Sequence, residues 1–108
     1  MSQITTHILD AALGKPAEGV AIRLLDPAGD VLAEGRTDSD GRIGDLGPDR
    51  LEPGRYRLEF STADYFAATD RDTFYPGVSI DFLVGDAGEH YHVPLLLSPF
   101  AYSTYRGS

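Results

Sequence analysis

Apolar and polar residues alternate along three stretches of the chain, as expected of strands that bury one face. The apolar rows are Val20, Ile22 and Leu24, then Tyr56, Leu58 and Phe60, and then Val78, Ile80, Phe82 and Val84. Short clusters rich in Gly, Pro and Asp separate such rows, and the cluster at residues 26–30 predicts a turn between two strands. The pattern therefore predicts an all-β protein.

Residues 61–70 are the one stretch that predicts a helix. Ser61 and Asp64 have the spacing of a capping box, and Tyr65 begins the run that follows. Seven or eight short strands with one short helix are typical of a β-sandwich of two sheets. A chain of 108 residues fits a single domain, which we expect to span residues 1–108.

Two predicted strands carry an unusual outward face. In residues 90–98 the core face consists of Tyr91, Val93, Leu95 and Leu97, and the outward face consists of His90, His92, Pro94, Leu96 and Ser98. In the first strand Ile4 and Ile8 suit the core, which turns Thr5, His7 and Leu9 outward. Faces that mix apolar residues with histidines usually meet another subunit or a ligand.

Composition and charge exclude several classes of partner and site. Nine basic against seventeen acidic residues give a net charge of −8, which repels nucleic acid and anionic membrane surfaces. The absence of cysteine excludes disulfides, thiolate metal sites and cysteine nucleophiles. The first residues do not resemble a secretory signal, and the apolar run at residues 93–97 is too short to span a bilayer. We therefore expect a cytoplasmic protein without a nucleic-acid or membrane partner.

The three histidines support two different interpretations. If the first and last strands pair, His7 and His92 could converge with Arg42, which ends an Asx turn that begins at Asp38. Alternatively, His90 and His92 share one strand face, and His7 could complete a three-histidine zinc site. Spacing of i, i+2 is common by chance, so the pattern alone leaves both interpretations open.

The end of the chain is predicted to be ordered. Residues 98–105 alternate well enough to form a strand, which would deliver residues 105–108 to a fixed place. Chain ends normally fray unless the fold ties them down, so an ordered polar tail suggests a functional one. Gly107 would let the backbone approach its neighbours closely.

Four segments together resemble the transthyretin-like 5-hydroxyisourate hydrolases. They are Thr6-His7-Ile8-Leu9-Asp10, Thr37-Asp38-Ser39-Asp40-Gly41-Arg42, the stretch from His90 to Pro99, and Tyr105-Arg106-Gly107-Ser108. The resemblance implies a transthyretin-like β-sandwich of seven to eight strands in two sheets with one short helix. It also implies hydrolysis of 5-hydroxyisourate to 2-oxo-4-hydroxy-4-carboxy-5-ureidoimidazoline, in the degradation of urate to allantoin, with no metal and no cofactor.

The same resemblance implies the site residues. His7, Arg42, His92 and Ser108 correspond to catalytic, substrate-binding positions, and Tyr105 is a further candidate for substrate binding. His90 matches a family position other than the catalytic one. Opening a cyclic amide needs an activated water, a stabilised oxyanion and a proton for the leaving nitrogen, which histidines and an arginine can supply. We assign His7 to water activation and His92 to substrate binding and proton handling, although the sequence leaves open which histidine is the base.

The family's assembly is a homotetramer with active sites at the dimer–dimer interface. An interface of that kind would explain the apolar outward faces of the first and last strands. The alternative function is that of a non-catalytic transthyretin-like carrier of small molecules. Transthyretin uses the same sandwich but lacks the histidine–arginine set and the terminal tetrapeptide.

Overall fold

A computed structural model describes residues 2–108 of the chain. It contains eight strands and one helix, in the order β1 Ile4–Asp10, β2 Lys15–Pro16, β3 Ala21–Leu25, β4 Val31–Arg36, β5 Gly54–Phe60, α1 Thr62–Ala68, β6 Val78–Val84, β7 Tyr91–Ser98 and β8 Ala101–Thr104. The predicted β-sandwich is confirmed, with eight strands from the predicted range of seven to eight. The helix of the described residues is too short to cross a membrane.

The strands form two four-stranded sheets. The first sheet has the order β2-β1-β7-β8 and the second has the order β4-β3-β5-β6. Strands β1 and β7 pair in parallel, with Thr5 opposite His92 and Leu9 opposite Leu96, whereas the other pairs are antiparallel. The pairing of strands from the two ends of the chain, on which convergence of the histidines depends, is therefore present.

The core lies between the two sheets and consists of the predicted apolar rows. Fully buried side chains of large volume include Ile4, Ile8, Ile22, Leu24, Leu58, Phe60, Leu95 and Leu97. Burial alternates along β1 and is nearly regular along β7, where Pro94 is buried together with the core face. The face with His7 and His92 is consequently the outer face of the first sheet, as the alternation predicts.

The helix is shorter than predicted and begins differently. It spans Thr62–Ala68 rather than residues 61–70, and Ser61 at its N-cap makes no side-chain capping hydrogen bond. The predicted capping box is therefore wrong. Ser61 has φ −85° and ψ 73°, and its N–H donates to the carbonyl of Ala21 on β3, so tertiary packing determines the start of the helix.

A buried carboxylate joins the end of β1 to this helix. The side chain of Asp10 is fully buried and accepts hydrogen bonds from the Tyr65 hydroxyl at 2.7 Å and from Arg71 Nη2 at 2.5 Å. The N–H groups of Ala12 and Leu13 donate to its other oxygen. Burial alone would raise the pKa of Asp10, but the Arg71, Tyr65 and backbone donors outweigh burial and hold that pKa below its usual value. Burial and the Asp10 carboxylate raise the pKa of Tyr65 to about 12.

Candidate active site

The sheet register brings the predicted site residues to adjacent positions on the outer face of the first sheet. Arg42 forms a bridge with His7 on one side of β1, and His7 lies opposite Pro94 of β7 on the other side. Two residues away along β7, His92 forms a bridge with Gly107 of the C-terminal segment. Because directly paired residues project from the same face of a sheet, Arg42, His7 and His92 share one surface.

A tight turn holds Arg42 beside His7. The Oδ1 atom of Asp38 accepts hydrogen bonds from the N–H groups of Asp40 at 2.9 Å and Arg42 at 3.0 Å, which confirms the predicted Asx turn. Gly41 has φ +75°, and a Cβ atom at this position would collide with the carbonyl oxygen of Ile8. The N–H of Ile8 donates to the carbonyl of Gly41 at 2.8 Å, which anchors the turn to β1.

The His92 ring is held through its Nδ1 atom. Thr5 Oγ1 lies 2.9 Å from His92 Nδ1 and also 3.0 Å from His90 Nε2. His92 is half-buried, whereas His90 is exposed and lies one residue before β7 rather than on it. Since Nδ1 of His92 faces Thr5, Nε2 is the ring nitrogen left to meet a substrate.

The surroundings of His92 favour its neutral form. Burial lowers the pKa of His92 below its ordinary value of 6.5, and the positive charge of Arg42 and the nearby His7 and His90 lower it further. A contact with Thr5 acts in the opposite direction but does not outweigh these effects. His92 is therefore a neutral imidazole near pH 7, able to accept or relay a proton.

The C-terminal segment packs directly against His92. The N–H of Gly107 donates to the carbonyl of His92 at 2.9 Å. A Cβ atom at residue 107 would lie 2.5 Å from His92 Cδ2 and 3.3 Å from Pro94 Cγ, so only glycine fits there without a shift. Ser108 follows immediately and is exposed. The fold thus ties down the tail through residue 107, as the sequence predicts.

Tyr105 borders the site through a cavity that His92 also lines. This cavity of about 300 Å³ lies between the C-terminal segment and β6, and its other lining residues include Tyr91, Val93 and Phe82. Arg106 lies 4.7 Å above the Tyr91 ring and 3.4 Å from the Glu89 carboxylate. Within a single chain, the structure groups His7, Arg42, His92 and the tail at Gly107, and Tyr105 borders this group through the cavity that it shares with His92.

His90 and His92 both contact the hydroxyl group of Thr5. Within residues 2–108, no group of three or more His, Cys, Asp or Glu side chains is arranged to hold a metal ion. His90 Nε2 and His92 Nδ1 both lie within hydrogen-bond distance of Thr5 Oγ1. In the structure, one ring nitrogen of each of these two histidines is therefore within hydrogen-bond distance of the Thr5 side chain.

A model of the HIUase/Transthyretin family matches residues 4–107, which is almost the whole chain. The chain belongs to the HIUase/Transthyretin family. A 5-hydroxyisourate hydrolase from Caulobacter vibrioides is 50% identical over 115 residues, and the match covers 100% of both chains. The family resemblance expected from the sequence motifs is therefore confirmed.

Solved structures of the HIUase/Transthyretin fold agree with this assignment. The Klebsiella pneumoniae 5-hydroxyisourate hydrolase superposes with a TM-score of 0.90 at 41% identity, covering 100% of this chain and 94% of its own. Sea bream transthyretin in complex with thyroxine gives a TM-score of 0.91 at 32% identity, covering 97% and 94% of the two chains. The fold is thus shared by an enzyme and a hormone-binding protein, and the polar residues on its surface must distinguish them.

One residue of the site was not predicted. The alternation of β1 places Thr5 on the outer face, but only the parallel register shows that its hydroxyl lies between His90 and His92. Sequence periodicity gives the face of each residue and not the register between strands that are 87 positions apart. The HIUase/Transthyretin motifs likewise identify the histidines without identifying what orients them.

Proposed function

We propose that this chain hydrolyses 5-hydroxyisourate to 2-oxo-4-hydroxy-4-carboxy-5-ureidoimidazoline, a step in the degradation of urate to allantoin. The observation that supports this most directly is the row of Arg42, His7 and His92 on one outer sheet face. Those residue types suit the hydrolysis of a cyclic amide, and curated relatives with this activity match the whole length of the chain.

The roles follow from the chemistry of each side chain. His7 accepts a proton from the attacking water, whose oxygen forms a bond with the ring carbonyl carbon. Arg42 stays charged at any relevant pH, and its planar donors stabilise the negative oxygen of the tetrahedral intermediate. His92 binds the substrate through Nε2 and protonates the leaving nitrogen as the carbon–nitrogen bond breaks.

The tail completes the proposed site. Gly107 pairs with His92, so Ser108 emerges next to the imidazole, and its hydroxyl and any carboxylate on it suit hydrogen bonding to substrate oxygens or nitrogens. Tyr105 lines the same cavity as His92, which supports a substrate-binding role for its side chain. No cofactor is required, because histidine proton transfer and an arginine supply the needed catalysis.

We further propose that the active unit is a homotetramer with its sites at the dimer–dimer interface. The outer face of the first sheet carries apolar residues, including Leu9 opposite Leu96, next to His7 and His92. A second copy packed on this face would exclude water from the site and strengthen its electrostatic interactions. Cytoplasmic location remains a prediction that cell fractionation would test.

The decisive experiment measures the ultraviolet decay of freshly generated 5-hydroxyisourate with and without the protein. We expect His7→Asn, Arg42→Ala and His92→Asn each to slow enzymatic decay by about 10²–10⁴-fold, the usual contribution of acid–base groups, with the fold retained. Activity should survive exhaustive chelation. Activity that is lost on chelation and restored by stoichiometric zinc would favour the metal interpretation, and thyroxine binding without any hydrolysis would favour the carrier.

A further inference from the structure

The Thr5 hydroxyl connects two imidazoles from the neighbouring strand. Its oxygen lies 3.0 Å from His90 Nε2 and 2.9 Å from His92 Nδ1, both within hydrogen-bond distance. The parallel register, which places Thr5 opposite His92, produces this arrangement. The exposed His90 is thereby joined to the half-buried His92 through a single oxygen atom.

The proton count of a hydroxyl links the states of the two histidines. A hydroxyl has one proton to donate and two lone pairs to accept with, so it cannot donate to both rings at once. When His90 donates its Nε2 proton to Thr5, the Thr5 proton turns to His92 Nδ1, and a neutral His92 then carries its own proton on Nε2. A proton on Nε2 of the exposed His90 thus selects the form of His92 that can donate to a leaving nitrogen.

This link resolves a difficulty in the proposed mechanism. His92 is neutral near pH 7, because burial and the charge of Arg42 disfavour its protonated form. A neutral imidazole is a poor acid, since losing its only ring proton would leave an anion. It can still protonate a leaving group if a second proton reaches Nδ1 during the same step.

We infer that Thr5 is a positioning residue that joins His90 to His92 in a proton relay. The inference rests on the proposed hydrolysis. As the carbon–nitrogen bond breaks, its electron pair takes the proton from His92 Nε2. His92 Nδ1 takes the Thr5 hydroxyl proton, and Thr5 Oγ1 takes the Nε2 proton of the His90 imidazolium. His92 is neutral before and after, but its proton now lies on Nδ1. The site resets when solvent protonates His92 Nε2, Nδ1 returns its proton to Thr5 Oγ1, and Thr5 passes its other proton to His90 Nε2. His7 releases the water-derived proton to solvent.

The charged groups around His92 define how this relay depends on pH. Arg42 from the turn, His7 from β1 and His90 all act on His92, whereas Arg106 of the tail points to Tyr91 and Glu89. At acidic pH His92 carries two ring protons and can donate without the relay. Loss of the Thr5 hydroxyl should therefore matter most near neutrality, and the defect should shrink as pH falls through the lowered pKa of His92.

The test compares Thr5→Val, which keeps the shape but removes the hydroxyl, with Thr5→Ser, which keeps the hydroxyl. We expect Thr5→Val to lower kcat at pH 7 by at least about tenfold, below the roughly 10²–10⁴-fold of a general acid, and the defect to shrink as pH falls. Thr5→Ser should restore most of the activity. His90→Gln, at an exposed position, should reproduce the pH-dependent defect even if Thr5→Val fails to fold.

A second measurement needs no substrate. In the wild type and in Thr5→Ser, the His92 ring nitrogen resonances should shift when His90 is replaced by Gln, and in Thr5→Val this response should disappear. A wild type that leaves 5-hydroxyisourate untouched would refute the proposed function, while the resonances would still show whether the rings are linked. Wild-type kcat at every pH in Thr5→Val and His90→Gln would overturn the relay, as would a His92 response that persists in Thr5→Val.

Discussion

Gly107 and Gly41 allow close packing at the site because neither has a side chain. A side chain at either position would collide, at residue 107 with the His92 ring and at residue 41 with the backbone of β1. Close approach of this kind is the common reason for glycine where two backbones or a backbone and a ring meet. The positions of Arg42 and Ser108 therefore depend on their glycine neighbours as much as on their own side chains.

Gly107→Ala is expected to lower activity without unfolding the protein. The new methyl group would lie 2.5 Å from His92 Cδ2, and because Thr5 holds the His92 ring, the tail must move away. We expect at least about a tenfold loss of kcat/KM, with stability changed by less than about 0.5 kcal/mol, as for most surface substitutions. Kinetics and thermal melting measure these two effects.

Gly44→Ala is the matched control, because a Cβ atom there would meet nothing within 4 Å. It should behave like the wild type in both assays. If Gly107→Ala were as active as Gly44→Ala, the tail would have no part in positioning the site.

At the residue scale, the sequence predicts the sheet face of each residue better than it predicts the contacts of that residue. The alternation assigns His7, His92 and Thr5 to the outer face, and the burial pattern agrees. The hydroxyl link of Thr5 and the buried partners of Asp10 depend on contacts between residues 55 to 87 positions apart. No local pattern encodes such distances, so these contacts could not be predicted.

At the scale of elements, strands were predicted well and the helix start was not. The apolar rows of β3, β5 and β6 follow from simple alternation, which a buried sheet face requires. The predicted capping box at Ser61 is absent because tertiary partners take its donors: the Ser61 N–H donates to Ala21 of β3, and the Ala63 N–H donates to Pro76. Helix α1 is held against β1 by the hydrogen bonds of Asp10 with Tyr65 and Arg71.

Asp10→Asn is expected to destabilise the fold by about 3 kcal/mol at pH 7, because it leaves Arg71 without its buried partner. The folded-state pKa of Asp10 lies below its usual value of 3.8. Its contribution is therefore fully present above pH 3.8 and is lost as pH falls through the lower folded value. Urea unfolding at fixed protein concentration should show the gap between wild type and Asp10→Asn closing at the acidic end.

Tyr65→Phe provides the comparison for this prediction, since it removes one hydrogen bond to the carboxylate and keeps the charge. Tyr65→Phe should destabilise the fold less than Asp10→Asn does, by about 2 kcal/mol. Equal stability of Asp10→Asn and the wild type at pH 7 would mean that the buried pair contributes nothing to holding the helix.

At the scale of the whole molecule, the proposed assembly and the proposed catalysis both use the outer face of the first sheet. Leu96→Lys would place a charge on this face, opposite Leu9 and two residues from Pro94. We expect the tetramer to dissociate and activity to fall together, because burying an unpaired charge in an interface is costly. Analytical ultracentrifugation and the decay assay measure the two outcomes, and circular dichroism reports whether the chain still folds.

Leu32→Lys is the control, since Leu32 lies on β4 of the other sheet and is 40% exposed. It should leave both assembly and activity intact. A Leu96→Lys variant that remained a fully active tetramer would show that the interface lies elsewhere.

The parallel pairing of β1 with β7 also determines when a folding chain can become catalytically active. His7 and His92 belong to strands whose partners lie 87 positions apart, so the surface they share has no local precursor. Long-range pairings of this type are slow to form, because loop closure costs entropy before any contact offsets it. The β3–β4 hairpin joins near neighbours, and β5 pairs with β6 across the connection that contains α1, so both pairs can form earlier. A refolding chain should therefore regain much of its strand signal before it regains any catalysis, and the lag between the two would measure the joining of its ends.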